Sequence, residues 1–123
     1  MSARGPANGR YILDGHRPVE EPDLFIWGRW MQDADRVVRF NVLEGGTAIS
    51  TVFLGLDHQY GDGPPLLFET MVFRGPMPTI DGLTINLGAS GEDCQRYSTW
   101  EEAEDGHVEM LKRAIAVNHP VKA

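Results

Sequence analysis

The chain reads as an α+β domain: a small, mainly antiparallel sheet, built from an N-terminal hairpin plus a three-strand meander, with two helices packed on one face. Three observations predict it. Segments rich in Val, Ile, Phe and Thr are separated by Gly-rich connections at hairpin spacing. Two other segments repeat their apolar residues every three or four positions, as helices do. The 123 residues suit one core, since single domains commonly run to about 100–150 residues.

Residues 1–9, rich in Gly, Pro, Ser and Asn, predict a flexible tail, with a single domain over 10–119 and a second short tail at 120–123. Tyr11-Ile12-Leu13 and His16-Arg17-Pro18-Val19 flank Asp14-Gly15, a pair that suits a two-residue hairpin turn. Pro22 fits the first turn of a helix, where its missing N–H is no loss, and Glu21 and Asp23 suit the positive end of the dipole. Leu24, Trp27, Met31 and Ala34 then recur at helical spacing, with Phe25, Ile26 and Trp30 widening the stripe. The pattern predicts a well-buried helix over about 22–35. Gly28 inside it costs roughly 1 kcal/mol relative to Ala, so a bulky neighbour, such as Trp27 or Trp30 of a second copy, is expected to pack there.

Residues 37–43 and 47–56 read as strands joined by Glu44-Gly45-Gly46, and 66–73 as a third strand reached through a loop that ends in Pro64-Pro65. Residues 75–95 read as a surface flap in which only Thr84-Ile85-Asn86-Leu87 resembles a strand. Ser98 or Thr99 is expected to cap a final helix, Thr99 with Glu102 fitting the capping box. Glu101, Glu102 and Glu104 lie in its first turn, Lys112 and Arg113 are expected to close its last, and Asn118-His119-Pro120 ends it. A second sheet face drawing on Ile49, Phe53, Leu67, Met71 and Phe73 is too apolar to be wetted, which predicts a second copy of the chain across it.

Hydrophobic residues make up 41% and charged residues 24%, a globular composition. No run approaches the roughly 18 apolar residues that span a bilayer, and MSARGPANGR lacks the apolar centre of a signal peptide. The chain is therefore expected to stay in the compartment where it is made, away from membranes. The single Cys94 forms no intrachain disulfide and no zinc cluster. A formal charge of −7 disfavours direct binding to DNA, RNA or anionic lipid.

Four ionisable residues stand out. Asp57 and His58 lie where a strand gives way to a Gly-rich loop, Glu69 lies within an apolar strand, and His107 shares an inward helix face with Trp100, Ala103, Leu111 and Ala114. A symmetric hairpin loop puts Glu69 opposite Phe53. As a set, Asp57, His58, Glu69 and His107 offer a general acid and base, and the spacing matches no recognised catalytic motif. The competing reading makes Asp57 a turn-former, His107 a hydrogen-bonded core residue and Glu69 an ion-pair partner of Arg36, Arg39 or Arg96. Gly55, Gly61 and Gly63 serve turn geometry more readily than phosphate binding. Trp27, Trp30, Tyr60, Tyr97 and Trp100 offer stacking surfaces and Arg36 and Arg96 anion contacts for a nucleotide, although tryptophans at helical spacing also simply build a core. No cofactor or metal is called for.

The strings Ser50-Thr51-Val52-Phe53-Leu54-Gly55-Leu56-Asp57-His58, Gly63-Pro64-Pro65-Leu66-Leu67-Phe68-Glu69-Thr70-Met71-Val72-Phe73 and Arg96-Tyr97-Ser98-Thr99-Trp100-Glu101-Glu102-Ala103-Glu104-Asp105-Gly106-His107 resemble a family of short phage and prophage proteins without an assigned activity. Tyr11-Ile12-Leu13-Asp14-Gly15, Trp27, Trp30 and Asp35-Arg36 extend the likeness over most of 11–113, while the segment between Phe73 and Arg96 is longer here. The resemblance implies an accessory role in the cytoplasm of an infected bacterium. By analogy with other small acidic phage proteins, the expectation is counteraction of host antiviral defence. Three mechanisms follow from it: a homo-oligomer that sequesters a nucleotide immune signal, an enzyme of phosphodiesterase type that hydrolyses a cyclic nucleotide signal, and an anti-CRISPR-like inhibitor that binds a host defence protein.

Overall fold

The computed structural model describes residues 9–75, 79–80, 83–84 and 93–118. Along the chain run β1 (Tyr11–Asp14), β2 (Arg17–Glu20), α1 (Leu24–Asp33), β3 (Val37–Val42), β4 (Ala48–Phe53), β5 (Phe68–Phe73), β6 (Thr79–Ile80), β7 (Leu83–Thr84), β8 (Cys94–Tyr97) and α2 (Trp100–Asn118). The fold is α+β, as its pattern predicts, with every strand pairing antiparallel. Residues 1–8 and 120–123 of the expected tails, residue 119 of the expected domain, and 76–78, 81–82 and 85–92 of the expected flap lie outside the described residues.

The N-terminal hairpin pairs Asp14 with Arg17, so Gly15 and His16 form its two-residue turn, one position beyond the expected Asp14-Gly15. Gly15 takes φ 63°, a value only glycine adopts without strain. The hairpin is fastened at both ends. Tyr11 N–H donates to the Gly55 carbonyl at its base, and the His16 ring stacks on Trp100 at the start of α2, with centroids 3.7 Å apart. Gly9, assigned to the tail, belongs to the domain, because its carbonyl accepts from Asp57 N–H.

The main sheet has four strands in the order β3-β4-β5-β8, one more than the expected meander. Residues 94–97, of which 94 and 95 fall within the expected flap, form the extra strand and pair with β5. Alternation sends Ile49, Thr51 and Phe53 of β4 and Phe68, Thr70 and Val72 of β5 to one buried face. The long helix α2 covers that inner face with Ala103, His107, Met110 and Ala114. Its start is as predicted: Glu102 N–H donates to the Thr99 hydroxyl, and the Glu102 carboxylate accepts from Thr99 N–H. Lys112 and Arg113 lie before its last turn, which holds no basic residue, because the helix runs on to Asn118.

Four expectations are corrected. Ile49, Phe53 and Leu67 belong to the inner core, so the outer sheet face is built instead from Phe40, Val42, Ser50, Val52, Met71 and Phe73. Glu69 pairs with Val52, not Phe53, because the loop from β4 to β5 is asymmetric. The helix α1 begins two residues later than Pro22, since the Asp23 carboxylate caps the N–H groups of Phe25 and Ile26. It is not a buried helix: none of its ten residues is buried. Trp30 does reach the inner core, meeting Phe53 edge-on, and Trp27 Nε1–H donates to the Gly55 carbonyl. A side chain at position 55 would strike Met31, so this glycine sets how closely α1 docks.

Candidate functional site

The inward imidazole of His107 is fully buried and hydrogen-bonded at both nitrogens. Nε2 lies 2.7 Å from Asn41 Oδ1, and since a carbonyl oxygen only accepts, Nε2 carries the proton. Nδ1 therefore accepts from the Thr51 hydroxyl, also 2.7 Å away. Thr51 in turn shares a hydrogen bond with Thr70 on the neighbouring strand. Burial pushes the His107 pKa below its ordinary 6.5, and the Arg39 guanidinium adds to the shift. The imidazole is thus neutral, with no free nitrogen to move a proton.

This polar layer divides the interior. On one side lie Tyr11, Phe53, Leu67, Phe68 and Ala103, and on the other Ile49, Val72, Met110 and Ala114. Its partners went unrecognised in the sequence, yet a signal was present. Thr51 and Thr70 each sit two positions from apolar residues on both sides, which places a hydroxyl on the core-facing side of each strand opposite the inward His107. Asn41 carries no comparable signal.

The other three acid–base candidates lie elsewhere. Glu69 neighbours Thr70 in the strand, so it faces the opposite side of the sheet from His107. There its carboxylate accepts from Arg96 Nε–H at 2.9 Å, the ion pair among the alternatives considered, and from the Cys94 thiol at 3.4 Å. Burial raises the Cys94 pKa, and the Glu69 charge raises it further. Asp57 closes its own loop, accepting from Gln59 N–H and Leu66 N–H. His58 Nδ1 lies 2.9 Å from the Leu56 carbonyl. The expected convergence of Asp57, His58, Glu69 and His107 does not occur, because the sheet itself stands between Glu69 and His107. Among the described residues no group of three or more His, Cys, Asp or Glu is placed to hold a metal.

The side chains expected to hold a nucleotide are also dispersed. Arg36 donates to the Phe53 carbonyl, tying the start of β3 to the end of β4. Trp100 lies between His16 and Phe68. Tyr60 is 92% exposed on the loop. Arg96 and Tyr97 do share a depression of about 370 Å³, but Glu102 and Asp105 line it too, and their carboxylates oppose an anion. The tip of the Tyr97 ring lies on Gly106, where any side chain would collide with it. Its hydroxyl is buried, and burial raises its pKa while the neighbouring Thr70 side chain lowers it.

The least expected surface is α1. Phe25 is 86% exposed, and Leu24 and Ile26 are each 54% exposed. Alongside them Ile26, Arg29, Trp30, Asp33 and Ala34 line a depression of about 460 Å³. Gly28, at the middle of this helix, has open space where a Cβ would stand, so the expected close neighbour is not supplied by the described residues of the chain. By contrast, the mid-helix Gly106 is explained by Tyr97. Phe25 heads one face of the helix with Gly28 and Arg29, and Ile26 opens the depression beside it, so large apolar side chains are exposed around this end of α1.

No family model matches the chain, and no curated protein and no solved structure matches it either. No helix among the described residues is long and apolar enough to cross a membrane.

Proposed function

We propose that this chain is a non-enzymatic accessory protein of the phage type, which counteracts host antiviral defence by docking on a host defence protein through the exposed face of α1. One observation carries the binding part: the more apolar of the two described helices has no buried residue and presents Phe25, Leu24 and Ile26 to solvent. Large aromatic and aliphatic side chains in that setting are typical anchors of protein interfaces. The counter-defence part rests on the resemblance of the strings around Phe53, Phe68 and Trp100 to short phage proteins.

Docking on a protein is favoured over holding a nucleotide signal because Arg36, Arg96, Trp27 and Trp100 are each engaged within the fold. It is favoured over hydrolysis because His107 has both nitrogens bonded and Glu69 faces the other side of the sheet. The test is phage plating on bacteria that carry a defence system and express the chain. Restored plating that is lost in Phe25→Asp and kept in His58→Ala supports the reading; loss in His58→Ala alone points to catalysis.

A second reading, the homo-oligomer, has its own observation. The outer sheet face is apolar, Phe40 and Val42 are more than half exposed, and the Glu69–Arg96 pair on it is internally neutral. A neutral patch is compatible with itself across a two-fold axis. Size-exclusion with light scattering decides it: a dimer at micromolar concentration supports the reading and a clean monomer removes it.

A further inference from the structure

We infer that the exposed face of α1 receives a basic amphipathic segment of its protein partner, with apolar side chains seated on Phe25 and in the gap at Gly28, and Lys or Arg residues over the carboxylates at either end of the helix. The inference rests on the protein-binding reading above and specifies the partner's chemistry. Two independent features carry it.

The first is shape. Phe25, Gly28, Arg29 and Gln32 follow helical spacing and so share one face. Phe25 projects as a knob, and Gly28, one turn on, leaves a notch that nothing among the described residues fills. A neighbouring backbone can approach closely only where a side chain is missing. A helix or extended segment lying along α1 would use both.

The second is charge. Residues 20–36 contain five acids, Glu20, Glu21, Asp23, Asp33 and Asp35, against Arg29 and Arg36. Arg36 is already turned toward the Phe53 carbonyl. Arg10 adds a cation at the helix start, where it donates to the Pro22 carbonyl, so three carboxylates stand against one guanidinium there and the rim of the apolar centre is net negative. A second copy of the chain would bring the same acidic rim and a net −7 charge against it, which repulsion disfavours. A basic segment is attracted, and such complementarity also raises the association rate.

The probes are two labelled 14-residue model helices, one of Leu and Lys and one of Leu and Glu, titrated with the full chain while anisotropy is read. The wild-type chain is expected to bind the Leu/Lys helix and not the Leu/Glu helix, with affinity falling steeply as salt rises. Phe25→Asp should weaken binding by about tenfold or more although it adds a negative charge, because the anchor is lost. The double variant Glu20→Gln, Asp33→Asn should weaken binding and flatten the salt dependence. Equal binding of both helices, or a Phe25→Asp variant that binds as well as wild type, overturns the inference. So does a dimer that Phe25→Asp dissolves, which would make the occupant a second copy. If Phe25→Asp abolishes plating rescue while the Leu/Lys helix does not bind, the partner chemistry is wrong and the docking face stands. If rescue survives in Phe25→Asp, both fall.

Discussion

The Thr51 hydroxyl donates to His107 Nδ1 across 2.7 Å, joining the second strand of the main sheet to the middle of α2 inside the protein. Because Asn41 Oδ1 accepts from Nε2–H and Thr70 completes the hydroxyl pair, the bond belongs to a satisfied interior chain. Such chains specify strand register, since a slip by one residue would strand every member without a partner. The imidazole is therefore a structural centre, and its consequences appear in stability.

Replacing His107 by Ala leaves a cavity and deprives Asn41 and Thr51 of their partner. The expected cost is about 2–4 kcal/mol, and Thr51→Val should cost about 1–3 kcal/mol. Urea unfolding of both variants at constant m-value checks this. A cost near zero for His107→Ala would remove the proposed polar layer from the account.

Acid should weaken the fold through the same residue. The unfolded imidazole takes up its proton near 6.5, whereas the folded one, depressed by burial and Arg39, does so only at lower pH. Its contribution to stability is thus complete above 6.5 and is lost as the pH falls through the folded pKa. Urea midpoints measured between about pH 7.5 and 5.5 should decline in the wild type, and less so in His107→Gln, which lacks a titrating ring.

The two mid-helix glycines should respond in opposite directions. At Gly28 a methyl group meets nothing within 4 Å, so Gly28→Ala gains helix propensity and should raise stability by about 0.5–1 kcal/mol. At Gly106 the same methyl strikes the Tyr97 ring, and Gly106→Ala should lose about 1–3 kcal/mol to overpacking. Thermal unfolding of the pair is the check, and destabilisation by Gly28→Ala would mean that something packs against that position in solution.

Cys94 should be a sluggish thiol. Burial and the Glu69 carboxylate both hold its pKa above the usual range, and the thiolate is the form that reacts. Alkylation at about pH 8 is expected to run several-fold slower than for a free model thiol and to quicken in Glu69→Gln. A rate equal to the model thiol would contradict the assigned contact.

Elements whose signal is local were legible in the sequence. The Thr99–Glu102 capping box, the strands around Phe53 and Phe68, and the inward turn of His107 all follow from residue types at fixed offsets. Strand β8 was missed because Cys94-Gln95-Arg96-Tyr97 is short and mostly polar, and its place depends on the distant β5. The register of Glu69 was displaced by one because loop symmetry is not a physical rule. Most consequential was α1. Helical periodicity predicts an apolar stripe, but it does not say whether that stripe is covered by the same chain, and here Phe25, Leu24 and Ile26 are left outside.

The central claim is that Phe25 stands on a surface kept free for a partner and contributes nothing to the core. Its most direct test is the unfolding free energy of Phe25→Asp. At 86% exposure the substitution should change stability by no more than about 0.5 kcal/mol and leave the chain folded. A loss of about 2 kcal/mol or more would show that this ring is buried in solution, and the docking face would go with it.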